Sequence, residues 1–426
     1  MANVLKSRVV SSWRSFQADT TQRAIQVAGA GDEARVSQQV LGIRGVAAMG
    51  TLVAHCWFMA LSRNTYRIED LLPQMDGTLP VSLAGVIGIF YTITGFALYG
   101  RWIKNWQAGT TVSTSAYFIR RAGRIIPLYW VTLAVGIGIL YFASKGQEQL
   151  WPVFSSIWPH VFFLQNYFES TYLTLSMVSY TLAIDVAFYV ALPFIGFFTS
   201  RLRSFGQQWM LLAVLMGIAV AWRVLALSSP AFYYAGETSN YTLTFSLLWY
   251  LPFFVVGMGC RLLVAKPPKI KLTPFVTVVF IVFETALWFA SGLNETYGSL
   301  YFTFLNSFIA GSIASFVLVT GRGFALEMLR SQPLLLLGVL SYGVFLWQIP
   351  VLFALRATDM IHTGFLGTLA ITLPITLLLS AITFVMIERP SVRISHDWAR
   401  RVERTSIVKG PYMTEDELEA VGNKQL

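Results

Sequence analysis

The chain has 426 residues, 55% hydrophobic and 12% charged, with a formal net charge of +10. That composition is too apolar and too sparsely charged for an ordinary soluble protein, and it points to a polytopic membrane protein. The positive balance needs no nucleic-acid partner, because the basic residues concentrate at one end of successive apolar segments, as the positive-inside rule requires.

Residues 1–40 form a polar arm without an apolar core, expected to be a cytoplasmic N-terminal segment rather than a cleavable signal peptide. Ten spans follow, at about 41–61, 81–102, 125–144, 178–199, 208–227, 243–264, 273–291, 300–319, 334–355 and 364–387. Each is long enough to cross roughly 30 Å of hydrocarbon as a helix. With the N-terminus inside, 25 of the 31 Lys/Arg face the cytoplasm. Arg63, Arg67, Lys145 and Arg356 lie outside, and Arg44 and Arg223 fall within spans. This places both termini in the cytoplasm, with a membrane domain over 41–390 and a tail over 391–426. The expected fold class is all-α, a bundle of about ten transmembrane helices. Cys56 and Cys260 fall near opposite faces of the membrane, which rules out a disulfide between them.

The first span carries Arg44 and His55 in LGIRGVAAMGTLVAHCWFMA. Eleven positions are almost three helical turns, so the two side chains share one face about 16 Å apart. Ionisable groups are expensive inside a bilayer and are seldom kept there without a use. Farther along, Arg120, Arg121 and Arg124 cluster at the inner end of the third span, where guanidinium forks suit phosphates. WPVFSSIWPHVFFLQNYF, residues 151–168, is apolar but broken by Pro152 and Pro159. Counting it as a span would reverse every later loop, so it is expected to be a re-entrant or interfacial segment on the outer face. Asp185, Arg223, Glu284 and Gln348 are further polar groups inside spans.

Depth follows from helical rise. His55, Gln348 and Arg223 lie roughly 21 to 22 Å from the inner ends of their spans, and Asp185 lies about 10 Å below the outer face. The four therefore converge on one plane in the outer third of the bilayer. A neutral imidazole there can act as general base on an acceptor hydroxyl, and a carboxylate such as Asp185 can hold its tautomer or the acceptor. Trp347, Gln348, Arg223 and Tyr189 are candidate acceptor-binding residues. His160, His362 and His396 fall in loops or tail at spacings that suggest no metal site. Gly88 and Gly95 are expected to allow close helix packing.

Several stretches, in order, resemble the acyltransferase-3 family. They are the Arg-ten-residues-His spacing of Arg44 and His55, FYTITGFALYG (90–100) with Thr94 in the family's serine place, YFIRRAGRIIPLYW (117–130), SYTLAIDVAFYVALP (179–193), LGVLSYGVFLWQIPVL (337–352) and IERP (387–390). Two positions depart from the family's pattern: Asp185 stands where Glu is usual, and Gln348 where His is frequent. The resemblance implies a membrane O-acyltransferase that takes an acyl group, acetyl in most members, from cytoplasmic acetyl-CoA or another acyl-CoA. Arg44, Arg120, Arg121 and Arg124 would then bind the donor. The acceptor would be a hydroxyl on the outer side of the plasma membrane, on an envelope glycan or a glycolipid such as a trehalose mycolate. The tail leaves no room for the extra soluble domain that some relatives carry. The competing reading is an exporter of an envelope glycan or lipid precursor, coupled to a gradient and independent of acyl-CoA. No internal repeat or pair of Gly/Pro-broken helices favours it. The sequence sets no oligomeric state.

Overall fold

The structure, a computed structural model, describes residues 32–61, 86–144, 157–168, 170–171, 174–176, 178–228, 243, 245–266, 311, 328–358, 360 and 364–408. The predicted spans 273–291 and 300–319, together with Glu284, lie outside the described residues. All regular structure among the described residues is helical. The long helices are α1 (Asp32–Leu61), α2 (Ile87–Gln107) and α3 (Thr114–Ser144). After a short α4 (Ile157–Val161) come α5 (Ser179–Arg201), α6 (Phe205–Ser228) and α7 (Leu247–Ala265), then α8 (Gln332–Ala357) and α9 (Gly364–Thr383). A π turn at Phe384–Glu388 leads from α9 into α10 (Arg389–Val408).

Among the described residues, seven helical segments are long and apolar enough to cross a membrane, the last of them running on from α9 into α10. Helix α2 coincides with the expected 81–102 span but carries Arg101, Lys104 and Asn105 in its last turns. The chain is thus an all-helical, multi-pass membrane bundle. Helix α3 starts eleven residues before the apolar segment it was predicted to fill, so its first three turns extend the basic end of the bundle. Gly109, with φ +68°, closes α2 in the left-handed conformation that a residue without Cβ adopts freely.

Two packed halves make the core. One joins α1, α3, α8 and α9 around Leu52, Leu128, Val344 and Leu352. The other joins α2, α5, α6 and α7 around Tyr91, Phe188, Phe253 and Phe254, with Phe188 and Phe254 stacked at 4.0 Å between centroids. Helix α5 contributes to both, Leu182 and Ala183 to the first and Ile184 and Phe188 to the second. Near the inner end of the second half, Tyr99 Oη lies 3.0 Å from both Thr199 Oγ1 and Gln208 Oε1. That buried hydrogen-bonded pin ties α2, α5 and α6.

Hydrocarbon offers no hydrophobic drive for helices to associate, so contact rests on close backbone approach at small residues. The pairing of α1 with α8 is the most extensive in the fold and has that basis. A Cβ at Gly42 would lie 2.1 Å from Leu329 O, one at Gly45 2.7 Å from Leu334 O, and one at Gly338 2.0 Å from Leu41 O. In the other half, a Cβ at Gly95 would lie 2.2 Å from Phe254 O and one at Gly257 1.9 Å from Thr92 O, so Gly95 serves the packing role expected of it.

The outer-face segment forms a cap instead of a span. Tyr129 Oη donates to His160 O at 2.9 Å, and Trp130 Nε1 donates to Val161 O at 3.1 Å. Gln165 and Asn166 donate to Ser179 O and Tyr180 O, which spends their own amide hydrogens on the first turn of α5 and fixes the cap over it. Trp158, Phe162 and Tyr167 point outward, as amphipathic rings do at a membrane boundary.

Replacing Gly338 with Val should force α1 and α8 apart and cost about 1–3 kcal/mol, read as a lowered melting temperature in detergent. Gly217→Ala, at a glycine with nothing within 4 Å, should leave it unchanged or slightly raised.

Candidate functional site

The glycine contacts between α1 and α8 decide which side chains meet. His55, eleven residues beyond Arg44 on α1, comes against Gln348 of α8, which is fully buried. The amide Nε2 of Gln348 donates to Phe345 O at 3.0 Å. Its Oε1 has no partner, and neither does Nδ1 of His55. Buried polar atoms are nearly always hydrogen-bonded, so two orphans facing the same interface mark a place built for something else.

A second layer forms about 16 Å inward along α1. Arg44 lies within electrostatic range of Arg124, Tyr189, Asp185 and Glu388. Asp185 in turn has the Thr94 hydroxyl and Arg44 as neighbours, while its Oδ1 is buried without a partner. Arg121 lies near Tyr189, Arg124, Tyr117 and Arg101, and its Nε is likewise buried and unpartnered. Arg44 and Arg124 therefore face the carboxylates of Asp185 and Glu388, with Arg121 beside them near Tyr189 and Tyr117, where α1, α2, α3, α5 and the π turn converge. The charge excess is positive, and the unspent donors suit an anionic group.

The sequence placed Asp185 level with His55. The structure gives Asp185 to Arg44 and Thr94, whereas the polar neighbour of His55 is Gln348. Depth counting assumed that α5 starts at the outer membrane boundary, but its first turn is tucked under Gln165 and Asn166 of the cap.

Other candidates are spent elsewhere. Arg120 turns to the tail helix, its two terminal nitrogens 2.8 and 2.5 Å from Oε1 and Oε2 of Glu403. Arg223 donates from Nε, at 3.0 Å, and from a terminal nitrogen to Trp249 O, on α6 and α7 in the other half of the bundle. Trp347 donates from Nε1 to Thr383 Oγ1 at 3.1 Å. Tyr189 does join the Arg44 layer.

Three groups escaped the sequence reading of the site. Glu388, in the π turn, faces Arg124 and Arg44; an acid at the end of the last span was the available signal. Thr94 was singled out only by resemblance. The hydroxyls of α9 recur at Thr368, Thr372, Thr376 and Ser380, an i, i+4 period legible in the sequence and passed over. Cys56 and Cys260 are both free and buried. Among the described residues no group of three or more His, Cys, Asp or Glu converges as metal ligands.

Comparison with known proteins places this geometry in a lineage. The acyltransferase-domain family matches residues 39–385. The chain is 22% identical over 363 residues to the peptidoglycan O-acetyltransferase OatA of Listeria monocytogenes, covering 78% of this chain and 57% of that protein. It is 26% identical over 385 residues to nodulation protein 10 of Rhizobium leguminosarum bv. viciae, covering 83% and 92%. The chain thus spans little more than half the length of the listerial relative. No solved structure matches.

The Arg120–Glu403 pair sets a measurable linkage on the inner side of the bundle. Arg120 holds the Glu403 carboxyl below the ordinary carboxylate range, so the pair stabilises the docked tail at neutral pH. That contribution is lost as pH falls past the ordinary carboxylate value and through the lowered folded one. The Glu403 side chain is 35% exposed, so Glu403→Ala should cost about 1–2 kcal/mol rather than the larger cost of breaking a fully buried pair. The melting difference between wild type and Glu403→Ala should shrink toward zero on acidification.

Proposed function

Because the chain belongs to the acyltransferase-3 family, we propose that it is a multi-pass O-acyltransferase of the plasma membrane, moving an acetyl group from cytoplasmic acetyl-CoA to a hydroxyl on the outer side. The acceptor is a cell-envelope glycolipid or glycan. The observation that carries this reading is the unspent His55 Nδ1 against Gln348, stacked on one helix face above the arginine layer.

Each layer has a chemical task. With Gln348 Nε2 committed to Phe345 O, the amide presents an acceptor oxygen toward the imidazole. An Nε2–H on His55 suits that oxygen and leaves Nδ1 bare as the base. Nδ1 takes the proton of the acceptor hydroxyl as its oxygen attacks the thioester carbonyl. The C–S bond then breaks, and the proton passes from the imidazolium to the departing thiolate, so charge balances over the cycle. Arg44, Arg121 and Arg124 favour the donor's phosphates on the inner side, with Asp185, Thr94 and Glu388 fixing the guanidinium forks. Arg120, already paired with Glu403, anchors α10 in this reading instead of binding donor.

The names of the relatives support acetyl as the acyl group and an envelope polymer as one kind of acceptor. The burial of both layers supports water exclusion during transfer, since an exposed thioester site would favour hydrolysis.

His55→Ala should lower transfer of radiolabelled acetate from acetyl-CoA to envelope material by about 10² to 10⁴-fold, with the protein still inserted and monodisperse. Near wild-type turnover would overturn the base assignment. Arg44→Lys keeps the charge and loses the fork, so donor half-saturation should rise about tenfold while the melting temperature holds; unchanged donor affinity would remove Arg44 from the donor path.

A further inference from the structure

Hydroxyl side chains inside helices ordinarily donate back to the carbonyl one turn earlier, and most here do. Thr51 donates to Ala47 O at 2.8 Å and Thr132 to Leu128 O at 3.1 Å. On α9 itself, Ser380 donates to Thr376 O at 2.6 Å and Thr383 to Leu379 O at 2.8 Å. The three hydroxyls nearer the outer end of α9 break the pattern. Thr368, Thr372 and Thr376 are 0–1% exposed, and none of their Oγ1 atoms has a hydrogen-bond partner. Sequence does not separate the two sets, since all five sit on one helix face; position along the helix does.

Thr372 and the turn of α9 that carries Thr368 lie along the part of α1 just beyond His55. Among the described residues, the Thr372 hydroxyl has only the Cys56 thiol, on the residue after His55, within reach, and a thiol is a weak partner that leaves most of the hydroxyl's capacity unused. Phe365, one turn outward from Thr368, packs edge-on against Trp57 with centroids 4.9 Å apart. Nε1 of Trp57 is itself buried and unpartnered. Adding His55 Nδ1, unspent polar atoms of α1 and α9 lie between the level of the imidazole and the outer helix ends. Leaving that many unmet inside an apolar bundle is unfavourable unless a ligand meets them.

We infer that Trp57, Thr368 and Thr372 form an acceptor subsite that binds the hydroxyls of an uncharged sugar entering from the outer face between α1 and α9. The chemistry selects the class. Threonine hydroxyls both donate and accept, the indole donates, and no charged side chain is among the three, so a polyol is satisfied where a phosphate or carboxylate is not. A sugar seated there presents a hydroxyl downward to His55, with Gln348 at the same level. The inference rests on the acyltransfer reading, names its substrate class, and supplies partners where Trp347 and Arg223 are engaged elsewhere.

The test measures labelled acetate transfer from acetyl-CoA by the full chain in nanodiscs, with graded envelope fraction from the producing cells as acceptor. Thr368→Val/Thr372→Val keeps side-chain shape and removes two hydroxyls; it should raise half-saturation for the envelope fraction about tenfold or more. Donor half-saturation should stay unchanged and the melting temperature should hold or rise, because valine relieves two orphans. The Ser/Ser double variant should restore acceptor affinity. Trp57→Phe should weaken acceptor binding by a few-fold, whereas Thr132→Val, at a hydroxyl already bonded to its own helix, should not. Mass spectrometry should place the label on a sugar residue without carboxylate or phosphate. Unaltered acceptor half-saturation in the Val/Val variant overturns the subsite while leaving the acyltransfer reading intact, as does label on an acidic residue. Absence of any transfer by the wild type, across all envelope fractions, overturns both.

Discussion

Everything at the candidate site depends on how closely α1 and α8 approach. The Cβ positions at Gly42, Gly45 and Gly338 would fall within 3 Å of a backbone oxygen of the opposing strand of chain, so the two helices touch through their main chains. Farther along the same pair of helices, His55 has Gln348 as its polar neighbour. In a medium where apolar contact between helices gains little over contact with lipid, this backbone fit is what gives the pair one register. A looser pair could slide by a residue and turn the imidazole by about 100° into lipid.

A second constraint follows from burial of charge. The arginine layer is tolerable inside the bundle because three other elements supply neighbours for it. Asp185 comes from α5, Thr94 from α2, Glu388 from the π turn, and Tyr189 lies nearby. The π turn matters here, since the extra residue per turn changes the direction in which Glu388 points relative to an uninterrupted helix. The same turn starts α10, whose Ser395 packs on Gly123 of α3 and whose Glu403 grips Arg120. The tail and the buried layer are thus joined through α3, where Arg120 holds Glu403 and the next residue, Arg121, belongs to the layer.

Polar atoms are distributed unevenly between the two halves of the bundle. In the half built on α2, α5, α6 and α7, Tyr99, Gln208 and Thr199 bond one another, and Arg223 is held by the Trp249 carbonyl. That half reads as scaffold. The half built on α1, α8 and α9 holds His55, Gln348, Trp57 and the outer threonines with atoms unspent. Chemistry needs groups whose hydrogen-bonding capacity is left over when the fold is complete; Thr92 Oγ1 on α2 and Asp185 Oδ1 on α5 are unspent too, so the surplus is densest along α1, α8 and α9 without being confined there.

The sequence by itself determined the helical membrane class, because 55% hydrophobic content in segments of about twenty residues has no other stable form in a bilayer. It also determined that Arg44 and His55 share a face, since helical periodicity is local. That residues 151–168 are not a span was an expectation drawn from two prolines and a charge count; that the described part, 157–168, packs over the start of α5 came only from the structure. Only the tertiary structure decided which partner each polar group received. Asp185 went to Arg44 because the cap recesses the start of α5, Arg120 went to Glu403 because α10 folds back on α3, and Arg223 went to Trp249 because α6 packs on the far half. Helical rise measures depth along one span, but the tilt, recess and neighbour of that span are set by packing against residues hundreds of positions away, and no local pattern carries them.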